Sequence, residues 1–155
     1  MNDIYSPPES DVKRDAVEAV YAGFWIRVVA SIIDSIWLLI LTLILGWLYY
    51  GQYYFDSQEF LLGSVDFVIS YVLPLVLTVL FWIYKSATPG KIILGLKIVD
   101  AATFGQVSNG RLIGRYLGYY LSTIVLFLGF LWIAWDQRKQ GWHDKLAGTV
   151  VIKGD

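Results

Sequence analysis

Cysteine is absent from the chain and histidine occurs once. Without thiols there is no disulfide framework, no thiolate zinc site and no cysteine nucleophile, and one imidazole cannot build a multi-histidine metal centre within a protomer. Charge is scarce as well. Asp, Glu, Lys and Arg make up 16% of 155 residues, and 12 basic against 13 acidic side chains leave a net charge of −1. Such a balance lacks the basic excess that binds phosphate backbones, so nucleic acid is not an expected partner. No catalytic motif stands out and no cofactor is expected. His143-Asp144 lies near the basic residues Arg138 and Lys139, but it has no serine in nucleophile-elbow context and reads as part of a folded cap. Thr88-Pro89-Gly90-Lys91 lacks the spacing of a phosphate loop. It reads as a turn opening a short amphipathic helix at the membrane interface, with Lys91 and Lys97 at the headgroups.

What the chain has in excess is apolar surface. Hydrophobic residues reach 57% with a mean hydropathy of +0.56, whereas soluble domains run near 45–50% apolar and about 25% charged. These values predict an all-α integral membrane protein in contact with the lipid bilayer. Three blocks carry the hydrophobicity, at about 24–50, 65–84 and 112–135. At about 1.5 Å per residue each is long enough for the roughly 30 Å of a hydrocarbon core. A kink is expected at Pro74. Trp25, Trp47, Trp82, Trp132 and Trp135 flank the block ends, where aromatic rings anchor at the headgroups; Trp37 is the exception. Residues 1–20 read as a mobile polar tail with one helical turn before Tyr21, and without the apolar core of a signal peptide.

The loop from Gly51 to Ser64 has no Lys or Arg, whereas the connection 85–111 holds Lys85, Lys91, Lys97 and Arg111. The positive-inside rule therefore puts the N-terminus in the cytoplasm. Three simple crossings would then put the basic segment 136–155 outside, against the same rule. The third block is therefore expected to be bent or re-entrant, breaking near Ser122-Thr123 or Gly129. Leu96–Asp100 and Thr149–Lys153 are β-branched runs that would pair as strands in a cytoplasmic cap if they lie on one side.

A few polar residues stand inside the apolar blocks. Asp34 falls near the bilayer midplane if Trp25 marks the interface, at an insertion cost of roughly 2.5–3.5 kcal/mol. Arg27, two turns away on the same face, is its expected partner. Ser31 and Ser35 share that face, which should turn toward the protein interior. The stripe is either a packing seam fastened by an ion pair or the site of a proton- or cation-handling carboxylate. Gly110, Gly114 and Gly118 repeat at spacing four, a pattern for close helix packing. Arg115 lies among them, and Asp34, Asp66 and Asp136 are its expected partners.

These residues resemble those of the RDD family, named for an arginine and two aspartates. The resemblance rests on Ala22-Gly23-Phe24-Trp25-Ile26-Arg27 with Ile33-Asp34, on Ala87-Thr88-Pro89-Gly90-Lys91 with Leu94–Asp100, and on Gly129–Trp132 leading through Asp136 into Gly141–Thr149. It covers nearly all of Tyr21 to Lys153, the expected membrane domain 21–153. The family arginine corresponds to Arg27 and its first aspartate to Asp34; the second maps onto Asp144, with Asp136 the alternative. The resemblance implies a small multi-pass protein of the bacterial cytoplasmic membrane with a suggested role in cation or proton transport. At this size, transport would require a homo-oligomer with the ion path between protomers. The competing expectation is a membrane scaffold, assembly factor or subunit that docks a protein partner.

Overall fold

The structure, a computed structural model, describes residues 19–154. The helical turn expected before Tyr21 in the polar tail lies outside the described residues. Two helices form a hairpin: α1 (Phe24–Tyr50) and α3 (Ser64–Lys85), each long and apolar enough to cross a membrane. Between them a one-turn helix α2 (Tyr53–Asp56) packs on the end of α1. Gly46 provides the space there, because a Cβ at that position would collide with the Tyr54 ring. Ile32, Ile36, Leu39 and Ile40 of α1 are each more than half exposed, the pattern of side chains solvated by lipid chains rather than by a core.

Pro74 lies inside α3 directly after a turn of π-helix, Val68–Val72. Proline cannot donate the backbone hydrogen bond its position would require, and a local π turn is one way a helix absorbs that defect. At the start of α3, buried Asp66 accepts from Leu62 N at 3.1 Å and Ser70 Oγ at 3.0 Å. The Asp66 amide in turn donates to the Tyr50 hydroxyl at 3.1 Å, fastening the far end of the hairpin.

The third apolar block does not form one straight span. It is a bent pair, α5 (Asn109–Ile124) followed by α6 (Leu128–Leu131) with a 3₁₀ turn at Trp132–Ala134, folded over by 110°. The reversal sits at Leu126 and Phe127, both with positive φ, between the two break points expected from sequence. Gly129 lies against the Ser122 side chain, closing the two arms on each other. Two strands form the expected pair: β1 (Leu96–Asp100) runs antiparallel to β2 (Thr149–Lys153), with Leu96 opposite Lys153. Tyr21 bridges to Ile152, and Ala22 N donates to Val151 O at 2.9 Å. Ser86 O accepts from Ile98 N at 2.7 Å. The start of α1, the end of α3 and both strands therefore meet at one end of the hairpin, in a cap whose buried core includes Ala22, Ile98, Leu112 and Val151.

Two short helices complete the cap. The first, α4 (Pro89–Ile93), docks on α1; α7 (Trp142–Ala147) docks on α5. Close approach is possible because of two glycines. A Cβ on Gly90 would strike the Ala30 carbonyl and the Asp34 carboxylate, and one on Gly118 would lie 2.9 Å from the His143 backbone. Among the described residues, nothing lies within 4 Å of where a Cβ on Gly110 or Gly114 would stand. Of the three glycines expected to form a packing groove, only Gly118 does so.

Candidate functional site

The centre of the cap is a carboxylate with two arginines. Asp144 is fully buried; its Oδ2 accepts from Arg27 Nη1 at 2.6 Å, and its Oδ1 is paired with Arg115 Nη1. Gly141 N donates to Oδ2 at 2.9 Å, and Thr149 Oγ1 accepts from Arg115 at 2.6 Å. The rest of the Arg27 fork is satisfied by the Ala22 carbonyl at 3.0 Å and the Lys139 carbonyl at 2.6 Å. This clasp joins α1, α5, α7 and β2 through one anion. Burial alone would raise the Asp144 carboxyl, but the Arg115 and Arg27 guanidiniums hold it well below the usual carboxylate range. For the neighbouring His143, burial is the dominant effect and pushes the imidazole down to about 3, so the ring is neutral at physiological pH. Its ring packs 4.4 Å from that of Tyr119 and 5.2 Å from that of Phe130.

Arg27 therefore meets Asp144 and not the expected Asp34, and Arg115 meets Asp144, which was not among its expected partners. Position on one helix face put Arg27 near Asp34, but the guanidinium turns toward the cap, where a fully buried anion and two carbonyls receive it. Asp34 is held from another direction. Its Oδ2 accepts from Thr88 Oγ1 at 2.5 Å; its Oδ1 accepts from Gly90 N at 2.7 Å and from Trp37 Nε1 at 3.1 Å. Thr88 Oγ1 also accepts from Lys91 Nζ at 3.3 Å. Lys91 is thus buried beside Asp34 instead of lying at the headgroups, while Lys97 is exposed. Trp37, the aromatic without an interfacial place, orients the acid. Trp82 is not an interfacial anchor: it is 1% exposed and packs against Tyr116 and Tyr119, with the Arg115 Cζ 5.4 Å from its ring centre.

Asp136 lies in a different environment. Lys145 pairs with it at 2.7 Å at the edge of the cap, and the amides of Arg138 and Gln140 donate to it. Desolvation raises its carboxyl, but the Lys145 ammonium and those amides together bring it below the ordinary carboxylate value. Of the two candidates for the second family aspartate, Asp144 is the one joined to Arg27.

A cavity of about 350 Å³ separates the Asp34 network from the clasp. Its walls include Arg27, Asp34, Lys91, Arg115, Trp82 and His143. Ser31 and Ser35 line it too; both are exposed, so they face this space instead of a helix seam. Ser35 Oγ donates to the Ser31 carbonyl at 2.8 Å. The proximity of Thr88, Gly90 and Lys91 to Asp34 had no signal in helical periodicity. The only sequence hint was the glycine beside a proline in a segment the family resemblance already included.

The match to the RDD family extends over residues 21–148. The chain is 33% identical over 147 residues to the uncharacterized protein YxaI of Bacillus subtilis, covering 84% of this chain and 96% of that one. It is 29% identical over 155 residues to the uncharacterized membrane protein YteJ of the same organism, covering 97% and 90%. To the uncharacterized protein RP437 of Rickettsia prowazekii it is 44% identical over 73 residues, 47% of this chain and 40% of that one. No solved structure matches.

Proposed function

The chain belongs to the RDD family of membrane proteins, and from that premise we propose that it is a proton-linked transporter of the bacterial cytoplasmic membrane, with Asp34 as the proton site. The observation that carries this reading is the position of Asp34 in the wall of the cavity, with its carboxylate gripping α4 through Thr88 and Gly90. An ionised carboxylate only accepts hydrogen bonds, whereas a protonated one must place a donor of its own. Taking up a proton would remove the charge that strengthens all three bonds and force the Thr88 hydroxyl to reverse or release, loosening α4, with Lys91, from the cavity. Proton exchange would in this way be linked to access.

A metal cation fits Asp34 less well, since both its oxygens are taken by donors and Arg27, Lys91 and Arg115 line the same space. The N-terminus is assigned to the cytoplasm from the lysines of the 85–111 connection. The two long helices among the described residues are too few to enclose a path across the bilayer, so the working unit is assigned as a homo-oligomer. No enzymatic activity is assigned. The scaffold reading draws on the bend between α5 and α6, where Ile124, Leu126 and Phe127 are strongly exposed; it predicts a partner and no flux.

The test is reconstitution into vesicles with a pH dye inside, challenged with an imposed pH gradient and then with Na+ or K+ pulses. Proton flux above that of empty vesicles, abolished by Asp34→Asn, is the expected result. Flux absent from the native protein, or unchanged in Asp34→Asn, contradicts the proposal.

A further inference from the structure

The cavity beside Asp34 is lined by more positive charge and more donors than the protein itself uses. Arg27, Lys91 and Arg115 contribute three cations. The acids at hand are Asp34 and Asp144, which leaves one positive charge over. Both acids are already engaged: Asp34 accepts from three donors, and Asp144 lies in the clasp. Two N–H groups of lining residues, Trp82 Nε1 and Arg115 Nε, have no partner among the described residues although both side chains are 1% exposed. Neither group can accept a hydrogen bond, so only an acceptor can satisfy them. They are neighbours, because the Arg115 guanidinium lies over the Trp82 ring. A neutral water could cap one donor but would not balance the charge, whereas an oxyanion does both.

The shape of the adjoining space narrows the class of anion. A second cavity, of about 410 Å³, lies between α1 and the bent pair and shares Arg27, Ser31, Ser35, Phe130 and Ile133 with the first. Its remaining walls are apolar, formed by Phe24, Val28, Ile32, Phe127 and Leu131. A ligand filling both spaces has an oxyanion at one end and hydrocarbon at the other. Each volume falls near the lower end of the roughly 300–1,000 Å³ typical of ligand pockets, enough for a headgroup and the first part of an acyl chain.

We infer that the paired cavities bind an anionic phospholipid, its phosphate against Lys91, Arg115 and Trp82 Nε1 and its acyl chain along α1 and α6. The inference names the ligand of the cavity used in the proposed function and takes from that reading only the site. It requires no flux.

The test uses the full chain in a zwitterionic detergent and native mass spectrometry with three probes: dioleoylphosphatidylglycerol, dioleoylphosphatidylcholine and inorganic phosphate. The expected result is retention of one phosphatidylglycerol at least about tenfold more strongly than phosphatidylcholine. Lys91→Gln and Trp82→Phe should each weaken it several-fold. Trp82→Phe keeps the ring and removes only the N–H, and Lys91 lies outside the clasp, so both variants should fold. Exposed Lys97→Gln is the control for surface charge and should leave binding unchanged. Equal retention of the two lipids, binding insensitive to Lys91→Gln and Trp82→Phe, or equal weakening by Lys97→Gln would overturn the assignment. Inorganic phosphate binding as tightly as the lipid would overturn it as well, by showing a site for free anion. Trp82→Phe separates the two proposals: it should weaken lipid binding and leave Asp34-dependent proton flux in place.

Discussion

Arg27 and Asp144 are 117 residues apart in the chain and 2.6 Å apart in the fold, and through this contact the first span is tied to the C-terminal cap. Arg115 holds the other oxygen of the same carboxylate. One buried anion thus organises two cations from two helices, and removing a single member leaves a buried charge uncompensated.

Breaking the clasp should therefore be costly. Removing one partner of a buried ion pair typically destabilises by about 3–5 kcal/mol. Arg27→Ala and Arg115→Ala should each sharply reduce the yield of folded protein and lower the unfolding temperature in detergent. A double-mutant cycle of Arg27→Ala with Asp144→Asn should show strong coupling, whereas Lys145→Ala, at the half-exposed Asp136 pair, should cost no more than about 1 kcal/mol.

Acid should weaken the cap in two stages. The His143 imidazole lies at about 3 in the fold against 6.5 ordinarily, so the unfolded chain takes up its proton first and stability falls as pH drops below about 6.5. Asp144 is also lowered, below its ordinary 3.8; its contribution is fully present above that value and is lost as pH falls from there through its lower value in the fold. Unfolding temperatures from pH 8 to pH 4 should decline, and His143→Phe should flatten the decline between pH 6.5 and pH 4. A decline of equal steepness in that variant would assign the effect to other groups.

The glycines make a sharper contrast than their regular spacing implies. Gly90→Ala forces a Cβ into the Ala30 carbonyl and Gly118→Ala forces one against the His143 backbone, overpacking that commonly costs about 1–3 kcal/mol. Gly110→Ala and Gly114→Ala meet open space and, within helix α5, should be neutral or slightly stabilising. Thermal unfolding of the four variants should separate them into these pairs.

Both ends of the membrane domain should lie on one side of the bilayer, because Tyr21, β1 and β2 are joined in a single cap. A reporter enzyme fused after Asp155 and one fused before Tyr21 should be active in the same compartment. A reporter inserted near Glu59, in the loop between α1 and α3, should be active in the opposite one.

Much of this architecture was legible from local patterns. Hydropathy over 24–50 and 65–84 located two helices because lipid demands long uncharged runs. The β-branched runs at Leu96–Asp100 and Thr149–Lys153 pair in the structure as their composition indicated. The basic C-terminal segment correctly argued for a folded-over third block, since a charge rule and a length rule could not both hold for a straight one. Side-chain pairings between helices were not legible. Helical spacing pointed Arg27 at Asp34, but spacing describes only one helix, and the decisive partner came from α7. Trp82 looked like an interfacial ring at the end of a block, and its burial follows from Tyr116, Tyr119 and Arg115 of α5. The Asp34 contacts with Thr88 and Gly90 depend on α4 docking against α1, which no periodicity encodes.

The central claim is that Asp34 latches α4 through Thr88 and Gly90, and its most direct test is a spin label at Ile93, an exposed residue at the end of α4, in the protein reconstituted in lipid. The label should be restrained in the native protein at neutral pH, loosen on acidification, and be loose at every pH in Asp34→Asn. A label equally restrained in the native protein and in Asp34→Asn across the pH range would contradict the latch.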